Sequence, residues 1–203
     1  MFTLDNLFLL LTGLTAAYLL WRLYTRWSKG KALYDVYYMM GFAVLLISGL
    51  LLIFLGLDIL ASPYVLTVAS LIPLGISMGL VEQYFPAYKR PFKWFALLGF
   101  LAIAITSIFG IAIGRKISVP LFHGVAGLVI FLGPFFAKGA AKGFWWVGIG
   151  GLLIGLGGIA LAFIANGAQL LFFSPAFVMA ILTPLLLLMT LAFTWGFVKD
   201  ILK

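Results

Sequence analysis

The chain has no cysteine, a single histidine and only five acidic residues among 203. Without cysteine there can be no disulfide, thiolate metal site or cysteine nucleophile, and the redox compartment is left unmarked. One histidine without cysteine cannot build a zinc site or a bis-histidine haem site, so no cofactor is expected. Charged residues of both signs make up 9% of the chain, against 65% hydrophobic residues and a mean hydropathy of +1.24. Soluble domains are nearer half apolar and a quarter charged. A chain of this length cannot hide so much apolar surface from water, so lipid must be its main solvent.

What is present in place of charge is a series of long apolar runs. About 20 residues are needed to cross roughly 30 Å of hydrocarbon. Such runs lie at about Leu4 to Leu23, Val36 to Leu57, Tyr64 to Phe85, Phe92 to Ile113, Ile117 to Ala137, Phe144 to Ala165 and Leu171 to Val198. They predict an all-α integral membrane protein: a bundle of seven transmembrane helices forming one domain over residues 1–203. The first run has no basic segment before it and its cations follow it, which is the pattern of an anchor with its N-terminus outside.

Eleven of the 13 lysines and arginines fall after the first, third, fifth and seventh runs. The positive-inside rule places those segments in the cytoplasm, with the N-terminus outside and the C-terminus inside. All six tryptophans sit at the same basic ends, as interfacial indoles do. The net charge of +8 therefore reads as a topology signal and a contact with anionic lipid headgroups. It does not call for nucleic acid. A multi-pass protein of the cell membrane is expected.

Displacing the chain by 109 positions aligns Lys29-Gly30 with Lys138-Gly139, Ala32 with Ala141, Gly41 with Gly150, Gly49 with Gly158, Leu52 with Leu161 and Phe54 with Phe163. With small changes of offset, Ser62-Pro63 answers Ser174-Pro175 and Pro73 answers Pro184. The matching loop pairs argue for a parallel pseudo-repeat, about 4–85 and 117–198, arranged three plus one plus three with the fourth run as connector. The competing reading is chance alignment of Gly- and Leu-rich helices.

Ionisable groups inside a membrane are costly and are functional candidates by default. Glu82 closes the third run: it is either a snorkelling carboxylate paired with Lys89 or Arg90, or a cytoplasmic gate and proton acceptor. His123 lies about 10 Å into the fifth run, at a rise of about 1.5 Å per residue. It is either a structural histidine or part of a ligand path. Asp5 and Asp35 are read as interfacial and Asp200 as tail. Asp58, Arg115, Lys116, Asn166 and Gln169 mark the external ends, as a polar vestibule or a solvated rim.

Pro73 and Pro184 sit near mid-run, each beside a hydroxyl, Ser70 or Thr183, that can satisfy the carbonyl freed by the missing N–H. Paired mid-span interruptions point to a midplane site in transporters. A path between the two triplets would be lined by Ser70, Pro73, Ser77, Thr106, Ser107, His123, Thr183, Pro184 and Thr190. Gly151, Gly155 and Gly158 form a small-residue face for helix packing, within the bundle or in a homo-oligomer or larger complex.

Two functions follow from these features: a transporter or channel for a small neutral solute, or a non-catalytic subunit or scaffold of a membrane assembly. An intramembrane enzyme lacks enough candidate groups. A covalent retinal protein would need a lysine inside the last run, and Lys199 stands only at its exit.

Overall fold

The computed structural model describes residues 3–165 and 174–203, with backbone alone at 161–165. Asn166 and Gln169 lie outside the described residues, as do residues 171–173 and the side chains of Leu161 and Phe163. All regular structure among the described residues is helical. It comprises α1 (Leu4–Gly30), α2 (Leu33–Leu55), α3 (Pro63–Ala69), α4 (Leu71–Tyr84), α5 (Lys89–Ile108), α6 (Ala112–Phe136), α7 (Trp146–Ala165) and α8 (Pro175–Ile201). Helices dominate because nothing in lipid can satisfy a bare peptide group, so each segment must close its own backbone bonds.

Six helical segments are long and apolar enough to cross a membrane: Leu4–Gly30, Leu33–Leu55, Pro63–Tyr84, Pro86–Ile108, Ala112–Phe136 and Pro175–Ile201. In α7 the apolar stretch with described side chains, Trp146–Ala160, is shorter. Outward-facing leucines, isoleucines and phenylalanines are exposed along almost every helix. That surface suits acyl chains and would aggregate in water. The chain is a polytopic membrane protein.

The helix ends follow local chemistry. At the start of α1, Thr3 caps the Asn6 N–H at 3.2 Å and Asp5 sits in the first turn, where the positive end of the helix dipole favours it. The helix stops where Lys31 turns left-handed at φ 51°, its N–H returning to the Trp27 carbonyl. In α8, Ser174 caps the Phe177 N–H and Pro175 opens the helix.

Packing orders six segments into a closed ring: α1 against α2, α2 against α4, α4 against α6, α6 against α7, α7 against α8, and α8 back against α1. Segment α5 stands outside this ring, packed on α3, α4 and α6. α1 and α8 run parallel, because Asp5 meets Thr183 near one end and Arg26 meets Asp200 near the other. α4 and α6 are also parallel, since Leu74 packs with Ala126 and Phe85 with Gly133.

Where α2 crosses α4 the backbones touch. A Cβ on Gly75 would stand 2.9 Å from the Tyr37 carbonyl and 3.0 Å from the Gly41 nitrogen. A Cβ on Gly151 would press into the α6 backbone at 2.7 Å, whereas at Gly155 and Gly158 it would meet no atom of the described residues within 4 Å. Gly75→Val should therefore lower stability in mild detergent by about 1–3 kcal/mol through overpacking. Gly155→Ala should instead be neutral or gain up to about 1 kcal/mol of helix propensity. Thermal midpoints of the two variants check this. A loss at Gly155 would mean that something outside the described residues covers that face.

Pro73 and Pro184 do not act alike. Near Pro73 the run is broken into α3 and α4 at Ser70, while α8 continues through Pro184. Proline removes one backbone donor and crowds the carbonyl four residues back. The expected hydroxyl repair does not occur at either site. Ser70 Oγ donates to the Thr67 carbonyl at 2.6 Å, and Thr183 Oγ1 donates to Asp5 Oδ1 at 2.5 Å. Neither reaches the carbonyl that its proline frees.

Candidate functional site

A network of charged and polar side chains lies at the basic end of the bundle. Arg26 in α1 carries its guanidinium between two carboxylates on other helices. Nε and Nη2 donate to Asp35 Oδ1 of α2 at 2.8 and 2.5 Å, and Nη1 donates to Asp200 Oδ2 of α8 at 3.3 Å. The side chains of Arg26, Asp35 and Asp200 are 17, 0 and 5% exposed. A charge this far from water persists only if paired and hydrogen-bonded.

Gln83 of α4 extends the network. Its Nε2 donates to Asp200 Oδ2 and to the Tyr84 hydroxyl, each at 3.0 Å, and its Oε1 accepts from the buried Tyr38 hydroxyl at 2.9 Å. The turn between α6 and α7 contributes the Ala141 N–H, which donates to Asp200 Oδ1 at 3.2 Å. Asp200 thus receives three donors from three different elements. Asp35 Oδ2 is buried and has no partner among the described residues.

Above this network opens a pocket of about 340 Å³, lined by Arg26, Tyr34, Gln83, Tyr84, Gly139, Asp200 and Lys203. Its walls come from α1, α2, α4, the turn after α6 and the end of α8. Arg26 stacks over the Tyr34 ring at 5.1 Å. The charges balance: Arg26 and Lys203 oppose Asp200 and the adjoining Asp35.

Beyond the pocket, toward the middle of the helices, the ring is filled by buried aromatic and aliphatic side chains. Tyr38, Phe42, Phe144, Phe193 and Phe197 are fully buried and meet edge to face, with centroids 4.6 Å apart for Tyr38–Phe197, 5.5 Å for Phe42–Phe197 and 5.7 Å for both Phe42–Phe193 and Phe144–Phe197. Leucine, isoleucine, valine and methionine side chains complete this layer. Edge-to-face pairs of this kind add about 0.5–1.5 kcal/mol each beyond their area.

The residues singled out from sequence are dispersed. Ser70, Ser77, Thr183 and Thr190 are fully buried. Ser77 donates to the Pro73 carbonyl at 2.7 Å and Thr190 to the Leu186 carbonyl at 2.8 Å, so these hydroxyls are satisfied by their own helices. Thr106 and Ser107 belong to α5, outside the ring. Thr106 bonds Ser118 of α6 at 3.0 Å, and the buried Ser107 hydroxyl has no partner among the described residues. His123 is partly buried in α6, its Nδ1 making only an imperfect approach to the Val119 carbonyl. Glu82 pairs with Lys89 at 3.7 Å in a shallow recess beside Tyr37 and Lys93. Asp58, Arg115 and Lys116 are exposed.

Asp35 and Asp200 do more than their positions at helix ends announce: the first is a fully buried ion-pair partner in the first turn of α2, and the second is the network centre in the last turn of α8. Asp5 is exposed as expected of an interfacial residue, yet it holds Thr183. Among the described residues, no group of three or more His, Asp or Glu side chains could hold a metal ion.

The tryptophans other than Trp27 are exposed, and cations lie over several rings at the basic end: Lys31 over Trp27 at 3.8 Å and Lys199 over Trp195 at 4.8 Å. No family model, curated protein or solved structure matches the chain.

Proposed function

We propose that the chain is a seven-span protein of the cell membrane, N-terminus outside and C-terminus cytoplasmic, that passes a small neutral or zwitterionic solute between two parallel three-helix units. The observation that carries this reading is the balanced polar pocket at the basic end, with walls from both halves of the chain. A site whose fixed charges cancel favours a solute without net charge.

Three further features support it. The α7 backbone runs for 20 residues, about 30 Å at 1.5 Å per residue, enough to count as the remaining span. The ring of contacts is unchanged when α1, α2 and α3–α4 exchange with α6, α7 and α8, as a parallel repeat requires. The odd segment, α5, lies outside the ring, where a connector belongs.

On this reading the pocket is a cytoplasmic vestibule and the aromatic layer closes the path above it. Uptake of labelled sugars, polyols and amino acids into proteoliposomes is the direct test. One class should accumulate above protein-free vesicles. A flat result across all three would sink transport.

A second reading, a non-catalytic subunit or scaffold, is favoured by the packed aromatic interior and by the Ser77 and Thr190 hydroxyls spent within their own helices. Under it the polar network only locks the bundle. Co-purification with other chains in mild detergent, together with a flat uptake screen, is its expected signature.

A further inference from the structure

The side-chain hydrogen bonds that tie α8 to α1 and α4 among the described residues fall at two levels only. Near one end Thr183 donates to Asp5. At the other, Asp200 accepts from Arg26 and Gln83. Asp5 and Arg26 are 21 positions apart in one helix, about 30 Å at 1.5 Å per residue. Between the two levels α8 meets its neighbours mainly through apolar side chains such as Met189, Phe193 and Phe197, while Thr190 bonds within its own helix and the buried Thr194 hydroxyl has no partner among the described residues. Re-packing this layer breaks no further side-chain hydrogen bond to α1 or α4, whereas each tie is discrete and either made or broken.

The basic-end tie differs from the other in one respect. Arg26, Gln83 and Asp200 are themselves walls of the pocket. The Arg26–Asp200 contact at 3.3 Å is longer than the bonds from Arg26 to Asp35, so the guanidinium is anchored on α2 and reaches to α8. A solute that donates to Asp200, or accepts from Gln83 or Arg26, competes directly with the link between the helices. Loss of the link leaves Arg26 still paired with Asp35, so no charge on the α1–α2 side is stranded.

We infer that Asp200 is a releasable latch: occupancy of the basic-end pocket frees the end of α8 from α1 and α4, while Asp5–Thr183 holds the opposite end as the pivot. This rests on the transport reading, since it gives the pocket's solute the differential contact that a conformational shift requires. It adds which contact breaks, which holds, and why binding at one face moves that face.

The native absence of cysteine makes the test direct. Paired cysteines at Lys29 and Leu202 report the basic end, and a pair at Leu4 and Ala176 reports the other, each carrying spin labels in the full chain in nanodiscs without solute. With Asp200→Asn the first pair should gain a second, longer-distance population while the second pair stays unchanged. Thr183→Val should move the second pair and spare the first.

Gln83→Leu, which removes one of the three donors to Asp200, should give a smaller shift of the first pair and serves where Asp200→Asn fails to fold. The proposal is overturned if the first pair keeps a single unshifted distance in folded Asp200→Asn or Gln83→Leu, or if both pairs widen together. Because no solute is present, these distances are independent of the uptake screen. A flat screen with responsive distances removes the transport reading, and unresponsive distances with measurable uptake remove the latch.

Discussion

Arg26→Ala is expected to cost about 3–5 kcal/mol, the usual range when one partner of a buried ion pair is removed. The size of the effect comes from what stays behind. Asp35 is 0% exposed and Asp200 5%, and both carboxyl groups would be left without the guanidinium in a site with little water. The net worth of the intact network is smaller than this loss, because desolvating three charges offsets most of their attraction.

Two companion variants separate these contributions. Arg26→Lys keeps the charge but loses the planar fork that serves Asp35 and Asp200 together, so an intermediate loss is expected. Adding Asp35→Asn to Arg26→Ala replaces one stranded carboxyl group and should recover a substantial part of the stability. Equilibrium unfolding in mixed detergent micelles of the wild type, Arg26→Ala, Asp35→Asn and the double variant gives all four corners of that cycle. An Arg26→Ala loss below about 1 kcal/mol, the level of an exposed pair, would show that the site is wet and the pairing incidental.

The network was present in the sequence as a matter of phase. In α1 the buried positions are Leu9, Thr12, Ala16, Leu19 and Leu23, and the same three-and-four spacing arrives next at Arg26. In α2 it runs from Asp35 through Tyr38, Phe42, Leu45, Gly49 and Leu52. Phe193 and Phe197 lead to Asp200, and Ile72, Ile76 and Leu80 lead to Gln83. Each polar member continues the inward stripe of its own helix.

Composition hides this, because in a membrane helix the outward face is as apolar as the inward one and the stripe has no polar contrast to mark it. Cations at span ends then read as topology signals, and acids beside them as solvated. Helix positions and the basic end are legible because length and charge determine them one segment at a time. Which helices become neighbours is not, since that depends on side-chain fit across segments far apart in the chain. Thr106 and Ser107 illustrate the limit: their polarity is plain in the sequence, but their place on the outlying α5 is not.

Phe197→Ala carries the other large expected effect, and it bears on the choice between the two functions. The ring is fully buried, 4.6 Å from Tyr38, 5.5 Å from Phe42 and 5.7 Å from Phe144 between centroids. Truncating a buried phenylalanine in a water-soluble core costs about 3–5 kcal/mol through lost transfer energy and a residual cavity. In lipid the transfer share largely disappears, because acyl chains solvate an exposed ring about as well as the protein interior does. The packing share remains, and the loss should fall at the low end of that range. Phe197→Leu should cost less still, because it leaves a smaller cavity.

The functional outcome is the more telling one. If the aromatic layer closes a path above the pocket, removing its most connected ring should raise the passive flux of small neutral solutes into proteoliposomes at unchanged protein content, and the leucine variant should restore the barrier. A rigid subunit with no path would lose stability in Phe197→Ala and pass nothing. Folded Phe197→Ala with flux no higher than wild type would therefore assign the aromatic layer to structure and transfer the weight of the argument to the subunit reading.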